Sequence, residues 1–352
     1  EAPFHAIMHG YVKHNMHDHA LIMYERMKTV HYMHQCICPR MFVALLKSCA
    51  ELKDLERGRE LHCKIEEFGL LGVNAFIGSS LIYMYSSCGC LAEARKVLDT
   101  SWTQDAVMWT SLIGGYCMYG SYGKAMDCFE QMQREGISPN LVTFICILQG
   151  CGSLRDVKYG IKIHEEIMSR GLLGKDIVLG TALVDMYVKC GELAKAKQVL
   201  DQLPDRDVVT WTALIAGYAQ HGSGKEVFHY LDQMQYEGLC PNEVTFACIL
   251  QACGNIGAIV KGIELHNDIK EAGLLKNVCI GIALIEMYAK YGLLEKAQAV
   301  FDQLPYKNVI AWNTLMSGLW NNQEAMLGCF DEMEQEGICP DAVTYVSVLK
   351  AC

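Results

Sequence analysis

The chain has little proline, no long apolar run and no excess of basic residues. Its seven prolines leave room for long helices. No uninterrupted apolar stretch approaches the ~18 residues that a membrane-spanning helix needs. Thirty Lys and Arg against 40 Asp and Glu give a formal net charge of −10. These features exclude a membrane-spanning helical protein and disfavour a protein that binds nucleic acid mainly through its phosphates.

No CxxC pair occurs among the 18 cysteines, so the sequence lacks the usual spacing of a zinc site. Cys49, Cys151, Cys253 and Cys352 fall at matching points of the phrases LKSC, LQGC, LQAC and LKAC. A cysteine at a fixed point of a helical phrase behaves as a small apolar residue packed between helices. The sequence therefore predicts reduced structural thiols in a reducing compartment, with no metal and no cofactor.

A segment of about one hundred residues recurs along the chain. WTSLIGGY begins at Trp109, WTALIAGY at Trp211 and WNTLMSGL at Trp312. A degenerate copy, FHAIMHGY, begins at Phe4. Self-similarity at a fixed period is typical of a solenoid, in which each repeat buries its apolar face against its neighbours. We therefore expect one stacked array. Since the chain starts without Met inside one copy and stops inside another, we expect a fragment of a longer protein.

Each long period divides into three helical hairpins of alternating length. In 106–140, AVMWTSLIGGYCMYG has apolar residues at helical spacing, Gly120 ends this helix, and a second helix ends at Gly136 before Pro139. The pattern predicts an all-α fold of about ten antiparallel hairpins. The first repeat, with the stretch KTVHYMHQCICPR, and the last full repeat, with NNQEAML, are irregular. We place the repeats at 1–40, 41–74, 75–105, 106–140, 141–176, 177–207, 208–242, 243–277, 278–308, 309–341 and 342–352, the last one truncated.

On these phrases the chain resembles the pentatricopeptide repeat proteins of the plant PLS subclass. Their repeats alternate as ordinary (P), long (L) and short (S), which is the order found here from residue 1 onwards. The phrases VTWTALIAGYAQHG, VTFACILQACGN and TALVDMYVKCGELAKAKQVLDQLPDRD carry the resemblance, which covers the whole chain. Tetratricopeptide repeats keep a more constant period. The resemblance implies a right-handed superhelical solenoid with every first helix on the concave surface.

The resemblance also implies that each repeat faces one base of single-stranded RNA. The fifth and last residues of a repeat would read the base. Asp in the last position suits the N–H donors of guanine and uracil, and Asn suits the acceptors of adenine and cytosine. A small hydroxyl in the fifth position leaves space for purines, whereas Asn accompanies pyrimidines. The implied reading pairs are Ser79 with Asp105 for G, Thr110 with Asn140 for A, Thr181 with Asp207 for G, Thr212 with Asn242 for A, and Asn313 with Asp341 for U.

The second residue of each repeat would sandwich the base. In the P and S repeats these residues are Phe76, Val107, Val178, Val209, Cys279 and Ile310. The fifth residues of the L repeats are apolar and imply little readout: Val43, Ile145 and Ala247. Ile282 with Asn308, and His5 with Arg40, are not readable pairs. The implied RNA core, read from its 5′ end, is G-A-n-G-A-n-n-U.

Two observations favour interpretations of this chain other than base reading. Asp and Asn directly before a helix are favoured caps, so the last residues of the repeats also have a structural explanation. The acidic balance fits RNA binding only if lysines line the inner groove and the acidic residues lie outside. A protein-binding helical scaffold without base readout therefore stays the alternative.

The resemblance implies a role in organellar RNA processing, foremost C-to-U editing, in the mitochondrion or chloroplast. The implied partners are single-stranded RNA, an accessory editing-factor protein bound to the L repeats, and a separate deaminase acting in trans. We expect no enzyme here, because a deaminase needs HxE and a distant CxxC on zinc. His164 to Glu166 matches HxE only formally, since the next copy has Asp268 and no CxxC exists.

The histidines have two interpretations. His62, His164 and His266 recur in the phrases GRELHCKI, GIKIHEEI and GIELHNDI and are predicted to pack between helices. Seven more lie near the start of the chain and leave a metal site open as a minor alternative: His5, His9, His14, His17, His19, His31 and His34.

Overall fold

The computed structural model of the chain describes residues 2–29, 39–72, 75–101, 104–319 and 322–351. In these ranges it contains 21 α-helices and no β-strand, which confirms the predicted all-α fold. The helices are α1 (Ala2–Lys13), α2 (His17–Thr29), α3 (Pro39–Leu52), α4 (Leu55–Glu67), α5 (Ala75–Ser87), α6 (Leu91–Thr100), α7 (Ala106–Met118), α8 (Tyr122–Arg134), α9 (Leu141–Leu154), α10 (Val157–Ser169), α11 (Ile177–Lys189), α12 (Leu193–Gln202), α13 (Val208–Gln220), α14 (Gly224–Tyr236), α15 (Glu243–Ile256), α16 (Ile259–Glu271), α17 (Val278–Lys290), α18 (Leu294–Asp302), α19 (Val309–Gly318), α20 (Gln323–Gln335) and α21 (Ala342–Ala351).

Consecutive helices form hairpins, and the helices end at glycines that the sequence predicts as helix ends. Gly120, between α7 and α8, has φ +68°, and Gly136, after α8, has φ +77°. This left-handed backbone conformation is easily adopted by glycine because it has no Cβ. In each hairpin we call the odd-numbered helix the first helix and the even-numbered helix the second helix.

The helices pack into two compact halves, residues 1–172 and residues 173–352. In the first half, α1 contacts α3, α3 contacts α5, α5 contacts α7, and α7 contacts α9. In the second half, α11, α13, α15, α17, α19 and α21 form the same kind of series. The second helices pack beside them. Each half is thus a stack of helical hairpins, and no described helix is long and apolar enough to cross a bilayer.

Large apolar side chains fill the core at equivalent points of the stack. Trp109, Trp211 and Trp312 lie in α7, α13 and α19 and are almost fully buried, as the spacing of the phrases predicts. Cys49, Cys151 and Cys253 are fully buried, which confirms that they are packing residues. Cys352 lies outside the described residues.

First helices approach each other closely where the repeated phrases carry glycine. A Cβ on Gly115 of α7 would lie 2.6 Å from Cβ of Ser86 in α5. A Cβ on Gly217 of α13 would lie 2.6 Å from Cγ1 of Val188 in α11. These glycines are therefore required by the separation between neighbouring helices.

The two irregular repeats are described only in part. Helix α3 begins at Pro39, two residues before the start assigned to the second repeat. Its Phe42 is buried, as are Phe144 and Phe246, the fourth residues of α9 and α15. Residues 30–38 of the insertion-like stretch lie outside the described ranges, as do residues 320–321, the second of which begins NNQEAML. The division into repeats of fixed boundaries stays an interpretation of the sequence.

Candidate functional site

The last residue of each candidate reading pair caps the helix that follows it. In all five cases its side-chain oxygen accepts the backbone N–H three residues further on, at 2.8–2.9 Å. The capping residues are Asp105, Asn140, Asp207, Asn242 and Asp341. These five residues are therefore helix caps, as their position before a helix indicated. Capping engages Oδ1 and leaves the second polar atom of each side chain for another partner.

The fifth residues lie beside these caps and contact a second threonine that sequence reasoning missed. Thr110 Oγ1 is 2.7 Å from Thr143 Oγ1. Thr212 Oγ1 is 2.6 Å from Thr245 Oγ1. Thr181 makes the same contact, at 2.7 Å, with its counterpart in α13. Each partner is the third residue of the next first helix.

These additional threonines connect the two members of a reading pair. Each hydroxyl also lies 2.7–3.0 Å from Oδ1 of the last residue. The four are fully buried: Thr143, Thr210, Thr245 and Thr344. We call them the bridging threonines. Their signal was present in the sequence as Asn or Asp followed three residues later by Thr, in NLVT, DVVT, NEVT and DAVT.

The last pair shows the most direct contact between its two members. Asn313 Nδ2 donates to Asp341 Oδ1 at 3.0 Å, and Thr344 Oγ1 donates to Asn313 Oδ1 at 2.7 Å. Hydrogen bonds from the backbone of Thr344 and from the side chain of Asn313 lower the pKa of Asp341. Asp341 is therefore an ionised carboxylate, with acceptors only, at neutral pH.

The remaining candidate pair, Ser79 with Asp105, is not joined in this way. Ser79 Oγ donates to the backbone oxygen of Phe76 at 3.1 Å, and Met108 takes the place of the bridging threonine beside Asp105. Asn308 caps α19 through the N–H of Ala311 at 2.9 Å. The side chain of His5 lies outside the described residues, so nothing is added to its pairing with Arg40.

The second residues form a regular set of exposed apolar side chains. The aliphatic and aromatic ones predicted to sandwich bases are between 49% and 70% exposed: Phe76, Val107, Val178, Val209 and Ile310. Cys279 is also exposed. The same position of α9, α15 and α21 is occupied by Val142, Val244 and Val343, which are equally exposed and were not predicted. Repeated exposure of apolar residues is typical of a contact surface.

Two open cavities bring these features together. One, of about 360 Å³, lies between Val107 and Val142 and is lined by Thr110 and Asn140. The other, of about 520 Å³, is lined by a second such set: Ile310, Val343, Asn313 and Asp341. Each cavity therefore combines two exposed aliphatic side chains with one polar pair. This arrangement suits a flat ligand with hydrogen-bonding groups on its edge.

Five of the first helices contain no charged residue. Helices α5, α7, α9, α13 and α19 contain no Lys, Arg, Asp or Glu. In α11, Lys189 pairs with Asp185 at 2.7 Å, and in α17, Lys290 pairs with Glu286 at 2.8 Å. The expected row of lysines is thus missing from those five helices, and the two lysines of α11 and α17 are partly neutralised.

The recurrent histidines pack as predicted. Nδ1 of His62 lies 2.8 Å from Tyr85 Oη, and Nδ1 of His266 lies 2.7 Å from Tyr288 Oη. Burial lowers the pKa of both histidines, and of His164. The part of the chain that the structure describes has no group of three or more His, Cys, Asp or Glu placed to hold a metal ion. His31 and His34 lie outside that part.

Comparison with known proteins supports the interpretation of the repeats. Matches to the PPR repeat family cover residues 104–153, 206–255 and 307–352, and matches to the PPR repeat cover 3–30, 181–208 and 283–309. The chain is 35% identical, over 99% of its length, to a chloroplastic pentatricopeptide repeat-containing protein of Arabidopsis thaliana, of which it covers 56%. It is 31% identical, over 97% of its length, to a mitochondrial one from the same plant, of which it covers 50%. The chain spans about half the length of these relatives.

Solved structures share the fold. The crystal structure of the pentatricopeptide repeat protein PPR10 in complex with an 18-nt psaJ RNA element matches with a TM-score of 0.69 at 18% identity, over 99% of this chain and 57% of that one. The crystal structure of PPR10 from maize matches with a TM-score of 0.54 at 18% identity, over 99% of this chain and 60% of that one. From the stacked helical hairpins and the family matches along its length, the chain belongs to the pentatricopeptide repeat family.

Proposed function

We propose that the chain binds single-stranded RNA in a sequence-specific way, with one base per repeat. The observation that carries the proposal is the composition of the two open cavities, where a polar pair lies between exposed aliphatic residues. Val107 and Val142 would hold the two faces of a base, while Thr110 and Asn140 face its edge. Bases must be unstacked to be held in this way, so the proposed ligand is single-stranded.

The hydrogen bonds within each pair support the proposed base identities. Oδ1 of Asn140 accepts from Thr143, and Nδ2 donates one proton to Thr110 Oγ1 at 3.2 Å. The second Nδ2 proton is left to donate to a base acceptor such as adenine N1. Oδ1 of Asp207 accepts from Thr210, and its second oxygen is left to accept from guanine N1–H. The proposed core remains G-A-n-G-A-n-n-U.

The proposed process is C-to-U editing, with this chain as the recognition module of an organellar RNA-processing factor of the PLS subclass. The alternating repeat lengths support the subclass, and the relatives named chloroplastic or mitochondrial support an organelle. PPR10, the fold neighbour, was crystallised with RNA. In this proposal a deaminase acting in trans performs the chemistry, and an accessory editing factor contacts the L repeats.

A gel shift with three matched oligonucleotides tests the proposal. The chain is titrated against a single strand containing G-A-n-G-A-n-n-U, a scrambled strand of equal composition, and a duplex of the designed sequence. We expect tight binding to the designed strand alone. Equal binding to all three, or none to any, would favour a protein-binding scaffold.

A further inference from the structure

We infer that the bridging threonines Thr143, Thr210, Thr245 and Thr344 set the base preference of the repeat before them without touching the base. This inference rests on the proposed function and deepens it. All four hydroxyls are fully buried, so none can contact a ligand. Each nevertheless contacts both side chains of a reading pair, one from the preceding first helix and one from the turn.

The direction of the hydrogen bonds follows from counting protons in the set Thr212, Asn242 and Thr245. Thr245 has one hydroxyl proton, and Oδ1 of Asn242, 2.8 Å away, can only accept it. The 2.6 Å contact between Thr212 and Thr245 must therefore use the proton of Thr212. Among the described residues Thr212 has no other hydrogen bond. This pair therefore offers a base the lone pairs of Thr212 Oγ1 as acceptors and the amide protons of Asn242 as donors.

This pattern matches a particular class of base edge. An acceptor beside a donor complements adenine, which offers the N6 amino group beside the acceptor N1. In the set with Asp207, Thr210 donates to the carboxylate at 2.7 Å, and Thr181 lies 2.7 Å from Thr210. There the pair offers acceptors only, which complements the adjacent N1–H and N2–H donors of guanine. A bridging threonine thus sets a preference for adenine when the last residue is Asn and for guanine when the last residue is Asp.

Helix capping alone does not account for the bridging contacts. Asn140 with Thr143, and Asn242 with Thr245, form reciprocal capping boxes that need only residues of the turn and the helix itself. The bond to Thr110 or Thr212 comes from a neighbouring first helix and adds nothing to the cap. The added contact joins the two members of the proposed reading pair.

The chain contains an internal comparison. Beside Asp105 the bridging place is occupied by Met108, and Ser79 instead donates to its own helix at Phe76. With nothing joining them, Ser79 and Asp105 should discriminate between bases less sharply than Thr181 and Asp207, although both pairs imply G.

The test uses Thr245→Val, which removes the hydroxyl and keeps the side-chain shape, and Thr245→Ser, which restores it. Binding is measured by fluorescence anisotropy on three strands: the designed core, a strand with G for A opposite Thr212 and Asn242, and a strand with A for G opposite Thr181 and Asp207. Circular dichroism on all variants checks that the helical fold is kept.

We expect the preference for A over G opposite Thr212 to fall about fivefold in Thr245→Val, the scale of one hydrogen bond, and to return in Thr245→Ser. The preference opposite Thr181 should stay unchanged in both variants. Equal weakening on all three strands, or an unchanged preference for A, would overturn the inference. A wild-type chain without preference at either base would instead contradict the proposed function itself.

Discussion

At the residue scale, the proposed function gives one side chain at the end of a repeat two separate tasks. Oδ1 of Asp207 accepts from both the backbone N–H and the hydroxyl of Thr210, the third residue of α13. Its other oxygen has no hydrogen-bond partner in the described part of the chain. Capping and base reading are therefore compatible, because they use different atoms of the same carboxylate.

Replacing Asp207 with Asn should change the base preference and preserve the fold. Asn caps a helix about as well as Asp, so we expect the free energy of unfolding to change by less than ~1 kcal/mol. The atom that faces the base changes from an acceptor to a donor. Preference should therefore move from G towards A by roughly 1–3 kcal/mol, measured as affinities for strands that differ only at that base.

A matched control is Asp201→Asn in α12, which removes the same charge from a second helix where Asp201 pairs with Lys197. This variant should keep the preference for G. If Asp207→Asn also kept it, the last residue would be a cap and nothing more.

The residues of the proposed pairs could be located from the resemblance, whereas the role of the bridging threonines could not be predicted from their NxxT or DxxT pattern. Thr143 looks like an ordinary third residue of a helix when the sequence is read alone. Its importance depends on Thr110, which is 33 positions earlier in the chain and comes within 2.7 Å only after two first helices have packed. Side-chain contacts between repeats are set by helix packing and are not encoded in any local pattern.

At the scale of the helices, most of the architecture follows from local signals. The apolar spacing and the glycines and prolines at the turns predicted helices such as α7 and α8 closely. The start of α3 was placed less well, since the degraded first repeat offers no clear turn before Pro39. The partners of the histidines were also missed, because Tyr85 lies in the next hairpin after His62.

Adjacent glycines in α7 should respond in opposite ways to alanine. A Cβ on Gly115 would lie 2.6 Å from Cβ of Ser86, whereas the nearest atom to a Cβ on Gly114 is Sγ of Cys146 at 3.8 Å. We expect Gly115→Ala to lower the free energy of unfolding by about 1–3 kcal/mol through overpacking. Gly114→Ala should leave it unchanged or raise it by up to ~1 kcal/mol, because alanine favours helix. Urea denaturation measures both, and equal effects would contradict the close helix approach.

The half-buried histidines should make the fold less stable in mild acid. Burial lowers the pKa of His62 and His266, so the folded chain binds fewer protons than the unfolded chain, whose histidines titrate near ~6.5. The free energy of unfolding should therefore fall as the pH drops through about 6.5. The double variant His62→Gln, His266→Gln should lose part of this dependence between about pH 7.5 and 5.5. An identical pH dependence in both proteins would argue against a lowered pKa of these histidines in the folded chain.

At the scale of the whole molecule, the charge distribution points to base contacts as the source of affinity. The chain has a formal net charge of −10, and five of the first helices are uncharged. Few counterions should therefore be released on binding. We expect a plot of log K against log salt concentration to have a slope shallower than about −2, where each phosphate contact contributes about −0.7. A slope steeper than about −5 would indicate phosphate-driven binding.

The central claim is that the order of the repeats encodes the order of the bases. The most direct measurement is enrichment of RNA from a pool of random single strands by this chain, followed by sequencing of the bound fraction. We expect a motif with G-A, one free position, G-A, two free positions and U. Its 5′ end should align with the pair Ser79 and Asp105, and its last base with Asn313 and Asp341. The first G should be the least strict of the five fixed bases. A bound pool without a motif, or a motif whose spacing does not follow the repeats, would contradict the proposed correspondence between repeats and bases.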